Sequence, residues 1–76
     1  MVKRLKYVRI RRTDEIIIFP LTIPHAHFSK IFGITSAGFC FINGEKETVE
    51  CFGESASLGI SSRTSDTKIA TQQIFG

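Results

Sequence analysis

The sequence predicts a small α+β fold: an antiparallel or mixed sheet of four to five strands, in chain order β-β-α-β-β-β-α, with two short helices on one face. Three observations carry that expectation. Short apolar runs are separated by turn residues along most of the chain, Asn43-Gly44 is a strong hairpin dipeptide, and only two segments repeat apolar residues at helical spacing. With 76 residues there is material for one core and not two, so residues 1–76 are expected to form a single domain. A domain this small is marginal and must place much of its Ile and its seven Phe inside. A deep, dry pocket is hard to build from so little chain. A binding surface, or one that pairs with its own copy, is easier.

The elements follow in order. Leu5 to Arg12 reads as a strand, with Val8 and Ile10 on one face and Arg9 and Arg11 on the other. Thr13-Asp14-Glu15 has turn chemistry, and Ile16-Ile17-Ile18-Phe19 is the continuous β-branched run of a strand covered on both faces. Pro20 cannot donate to a ladder and ends or bulges that strand. Pro24 suits the first turn of a helix of about two to three turns, with Phe28, Ile31 and Phe32 inward and Gly33 as the stop. Residues 35–42 form the next strand, and Glu45 to Phe52 returns antiparallel, with Val49 and Cys51 on one face and Glu50 on the other. Beyond Gly53, the alternation of Ala56, Leu58 and Ile60 with Ser57, Gly59 and Ser61 suggests a fifth, weaker strand. Ser65 or Asp66 can cap a final helix, with Ile69, Ala70, Gln73 and Ile74 inward.

Two cysteines, Cys40 and Cys51, are too few for the disulfide framework of a small secreted domain. A short turn at Asn43-Gly44 would set Cys40 opposite residues 47–49 and leave Cys51 offset along the ladder, so both are read as buried thiols with no disulfide-linked partner. The weakly charged stretch 16–42 is interrupted by Pro20, Pro24, His25 and His27, and its apolar runs are shorter than the ~20 residues of a spanning helix. Asp14 and Glu15 after the basic start do not fit a signal peptide. The expectation is a cytoplasmic protein with no membrane partner.

Charge is the most informative feature. Residues 1–12 hold Lys3, Arg4, Lys6, Arg9, Arg11 and Arg12 with no acid, whereas the rest of the chain has four cations against seven acids. Phosphate contacts begin with such clusters, and Tyr7 is the one nearby aromatic able to stack on a base, so Arg4, Lys6, Tyr7, Arg9, Arg11 and Arg12 are candidate nucleic-acid contacts. The competing reading is internal pairing. If the first strand lies beside the acidic half of the hairpin, Arg9 and Arg11 face Glu45 and Glu47 across strands, with Glu50 and Glu54 nearby. No base-reading motif favours nucleic acid.

Other constellations are weaker. His25 and His27 with Cys40 and Cys51 supply zinc-type atoms, but there is no C-x-x-C and the two imidazoles diverge on a helix, so no metal is expected. Gly53-Glu54-Ser55-Ala56-Ser57 has part of a nucleophile-elbow outline without its second glycine or its parallel sheet. A triad of Ser55, a histidine and Asp14 or Asp66 is composition rather than evidence, so neither an enzyme nor a cofactor is expected. Gly53 to Arg63 offers small residues ahead of a helix N-terminus, making Ser61, Ser62 and Arg63 a candidate anion site that lacks the lysine of a P-loop. Self-association is the leading reading. Phe39 and Phe41 point to one face of their strand and Cys40 and Ile42 to the other, and two helices on one face leave the second uncovered. The sequence therefore points to a small interaction module, a homodimer through a sheet face or edge, with nucleic-acid binding through the basic strand as the alternative.

Overall fold

The computed structural model describes residues 2–76. Its elements are β1 (Val2–Ile10), β2 (Ile16–Phe19), α1 (Ala26–Ser29), β3 (Ile34–Asn43), β4 (Thr48–Phe52), β5 (Glu54–Ser55), β6 (Ile60–Ser61) and α2 (Ser65–Phe75). The α+β class is as expected. The main sheet is antiparallel with strand order β2-β1-β3-β4, and β5 and β6 form a separate two-stranded ribbon. The anticipated fifth strand shrinks to Ile60–Ser61, because 56–59 is a turn with Gly59 in the left-handed region (φ 65°). No helix among the described residues is long and apolar enough to cross a membrane.

The β1–β2 hairpin closes where the turn chemistry predicted it. The Ile10 N–H donates to the Glu15 carbonyl at 2.8 Å, and Asp14 takes the left-handed position (φ 62°) that short polar residues tolerate. The β3–β4 hairpin is wider than Asn43-Gly44 implied. Asn43 pairs with Thr48, and its side-chain oxygen accepts from the Glu45 and Lys46 N–H groups at 3.1 and 3.2 Å. Asn43 thus acts through an Asx-type turn, and Glu47 (φ 53°) supplies the left-handed residue. The wider turn resets the register and corrects the expected offset: Cys40 lies directly opposite Cys51. Both are free thiols, Cys40 fully buried and Cys51 half-buried.

Strict alternation divides the core between the two faces. One face carries Tyr7, Ile16, Cys40 and Val49, which pack with Ala70 of α2, and Leu5, Ile18, Ile42, Cys51, Ile69 and Phe75 surround them. The other carries Val8, Phe19, Ile34 and Ala37, covered by Ile23 and Phe28 of the α1 segment and by Leu58 and Ile60 of the ribbon. The helices therefore straddle the sheet rather than sharing a face. The continuous run Ile16–Phe19 requires this, since its residues feed both clusters in alternation.

The first helix is shorter than its spacing suggested. It is a single turn that ends before Ile31 and Phe32, which are 63% and 38% exposed. What fixes this segment is His25, buried rather than partly exposed. Its Nε2–H donates to the Gly38 carbonyl at 2.8 Å, and its ring lies edge-on to Phe19 and Phe39. Burial depresses the His25 pKa, opposed by the carbonyl it donates to.

The longer helix does more than cover a face. The outward N–H groups of Val49 and Cys51 donate to the Thr71 and Thr67 hydroxyls at 2.9 Å each, which occupies the free edge of β4. At the opposite edge Gln73 pairs with both backbone groups of Ile16, accepting at 2.9 Å and donating at 2.6 Å. Side chains of α2 thus stand where a further strand would pair, one of the ways folded sheets avoid edge-to-edge association.

Candidate functional site

The basic strand does not lie beside the acidic half of the hairpin. β3 lies between β1 and β4, so Arg9 faces Ser36 and not Glu45 or Glu47. Its guanidinium instead bridges Asp14 and Asp66, both at 3.1 Å. Asp66 itself is fully buried. It accepts hydrogen bonds from the Tyr7 hydroxyl, the Ser36 hydroxyl (2.9 Å), the Arg63 N–H (2.9 Å) and Arg9 Nη1 (3.1 Å). Burial pushes the Asp66 carboxyl up, but these donors outweigh it and hold the group below its ordinary value. For Tyr7, burial and the neighbouring carboxylate both push the phenol well above its ordinary value. This cluster pins the start of α2 to the middle of the sheet. Its partners are all internal, so its chemistry is structural.

That arrangement decides several sequence candidates. Tyr7 is fully buried and offers no ring face to a base. Lys6 donates from Nζ to the Ile23 carbonyl at 3.0 Å, Arg11 holds the Gly33 carbonyl through its N–H, and Arg12 lies in the turn after β1. Around the candidate anion site, Ser61 and Arg63 are exposed and Ser62 donates its N–H to the Gly53 carbonyl, but the Arg63 amide is taken by Asp66. The negative charge that a helix N-terminus favours is already supplied by the chain. Ser55 is buried against Ser57, away from any histidine partner, and no metal-type cluster forms among the described residues.

What remains is a patch on the α1 side of the sheet that α1 and the ribbon leave half-covered, with His25 meeting only its Phe39 end. Phe39, Phe41 and Phe52 belong to neither core cluster and stay half-exposed. Phe41 stacks on Phe52 with centroids 5.0 Å apart and Phe39 lies 6.1 Å from Phe52, forming an aromatic ladder across β3 and β4. The Arg4 guanidinium sits 4.6 Å from the Phe39 ring centroid, a cation–π contact.

Register sets the patch out in two rows. Arg4, Phe41 and Glu50 form one row across β1, β3 and β4, and Lys6, Phe39 and Phe52 form the next. Alternation along a strand already identified Phe39 and Phe41. Phe52 and Glu50 join them only through the hairpin register, and Arg4 only because β1 neighbours β3. No protein-family model matches the chain, nor does any curated protein or any solved structure, so the patch has to be interpreted from its own chemistry.

Proposed function

We propose that the protein is a small interaction module that forms a homodimer through the Phe39–Phe41–Phe52 face. One observation carries this: the row Arg4–Phe41–Glu50, with a cation and an acid on either side of an aromatic. Strands lie about 4.8 Å apart, so the two charges flank Phe41 at nearly equal distances. A two-fold axis through Phe41 would set Arg4 of each copy against Glu50 of the other. Such an isologous contact is self-complementary. Glu50 also works against the alternative, because it puts an acid where a nucleic-acid phosphate would need a cation. The edges support the choice of face over edge, since Thr67, Thr71 and Gln73 already occupy edge groups.

The patch is small beside the ~800 Å² per partner of a standard stable interface. The dimer is therefore expected to be reversible and dependent on concentration. Rim ion pairs contribute about 0–1 kcal/mol each, so moderate salt should weaken it only slightly while the aromatic centre persists. Sedimentation equilibrium of the purified chain tests this. Phe41→Ser should shift the mass toward monomer. Arg4→Glu and Glu50→Arg should each weaken pairing, and an equimolar mixture of the two should restore it as a heterodimer. A wild-type chain that stays monomeric at every attainable concentration sinks the proposal, as does a mixture of folded charge variants that fails to pair.

A further inference from the structure

We propose that Cys40 and Cys51 form a cross-strand dithiol that closes to an intramolecular disulfide by exchange with a low-molecular-weight disulfide. The two residues are register partners in β3 and β4, and both side chains lie in the cluster under α2. The Cys51 N–H donates to Thr67 Oγ1 at 2.9 Å, so it points away from β3. That makes Cys40–Cys51 a non-hydrogen-bonded pair, the type in which opposed Cα atoms come to about 4.5 Å and side chains lie closest. A disulfide needs Cα atoms about 4.4–6.8 Å apart. Closure therefore requires no change of register and no movement of the hairpin.

The two thiols are not equivalent. Cys51 is half-buried and Cys40 fully buried, so the reagent meets Cys51 first. The Cys51 thiolate attacks one sulfur of the reagent, forming a mixed disulfide and releasing one thiol that takes up the proton Cys51 gave. Cys40 then attacks Cys51 Sγ, the S–S bond forms between the two strands, and the second thiol leaves with the second proton. Two cysteine thiols are oxidised and one reagent disulfide is reduced to two thiols. Burial pushes the Cys40 thiol up to about 11, and burial together with Cys40 pushes Cys51 up to about 12, so little thiolate is present at neutral pH. Exchange is accordingly slow until α2 lifts from the pair and opens it to water. The pair faces α2, on the side of the sheet away from Phe41, so this site stands or falls independently of the dimer.

Oxidised glutathione with the full chain under native conditions, followed by alkylation and intact-mass measurement, tests the assignment. The expected product is a monomer lighter by two hydrogens, without glutathione and without alkyl groups. Its Tm should rise by about 10–20 °C, since the bond closes a loop of about a dozen residues in the unfolded chain. Cys40→Ser should stop at a stable glutathione adduct on Cys51, which separates the two chemical steps. A wild-type chain that keeps the adduct on Cys51, or that alkylates at both cysteines at equilibrium with excess oxidant, overturns the proposal. So does an oxidised form that melts no higher than the reduced one, because the native register would then not fit the bond.

Discussion

Asp66→Ala should be among the most damaging single substitutions in this chain. The carboxylate is fully buried and accepts from Tyr7, Ser36, Arg63 and Arg9. Removing it leaves the Arg9 guanidinium, whose side chain is only 12% exposed, with Asp14 as its one carboxylate beside the Ser65 hydroxyl, and strands two buried hydroxyls. Breaking a buried charged pair from one side costs about 3–5 kcal/mol. A domain of this length has roughly 4–11 kcal/mol in total at the usual stability per residue. The variant should therefore lose between about a quarter and all of its stability, while Tyr7→Phe, which removes one donor to a charged acceptor, should lose about 1.5–3 kcal/mol. Equilibrium urea denaturation followed by far-ultraviolet circular dichroism measures both.

The same site predicts a pH dependence. The Asp66 carboxyl titrates lower in the folded chain than its ordinary 3.8, so the folded state binds fewer protons as the group titrates. Its contribution is fully present above the unfolded value and is lost as pH falls through the folded one. The wild type should weaken below about pH 4, and Asp66→Asn should show a flatter profile there. If Asp66→Ala costs less than about 1 kcal/mol, the idea that this cluster joins α2 to the sheet is refuted, since stranding two buried hydroxyls and taking one of its two carboxylates from Arg9 cannot be that cheap.

Two further outcomes follow from particular contacts. A methyl group on Gly38 would come within 2.4 Å of the Phe52 carbonyl oxygen, so Gly38→Ala must displace backbone and should cost roughly 1–3 kcal/mol in a denaturation experiment. Thr71→Val removes the acceptor for the Val49 N–H and exposes that part of the β4 edge. It should cost about 1 kcal/mol and raise light scattering on a thermal ramp, whereas an unchanged scattering onset would show that the edge was not being protected.

Much of the architecture was legible because it depends on neighbouring residues. Period-two patterning found β1, β3 and β4, the continuous β-branched run bracketed by the Thr13–Glu15 turn and Pro20 found β2, and helical spacing near Ser65 located α2. Where local rules failed, a longer-range contact had won. Phe28, Ile31 and Phe32 repeat at helical spacing, yet His25 reaching the Gly38 carbonyl and Phe28 packing on Phe19 leave room for a single turn. The dipeptide Asn43-Gly44 favours a two-residue turn, but the Asn43 side chain holds a wider one, and that shift in register is what sets Cys51 opposite Cys40.

The sequence by itself determined the α+β class, the positions of the main strands, the concentration of cations in the first twelve residues and the shared facing of Phe39 and Phe41. Each of these follows from spacing along the chain, because strand and helix periods are properties of the local backbone. Only the tertiary structure decided that β1 lies between β2 and β3, that Arg9 is matched by Asp14 and Asp66, and that Arg4, Phe41 and Glu50 form one row. Strand order and register are set by which apolar faces can be buried together, a condition spread over the whole chain. No single stretch of sequence records it.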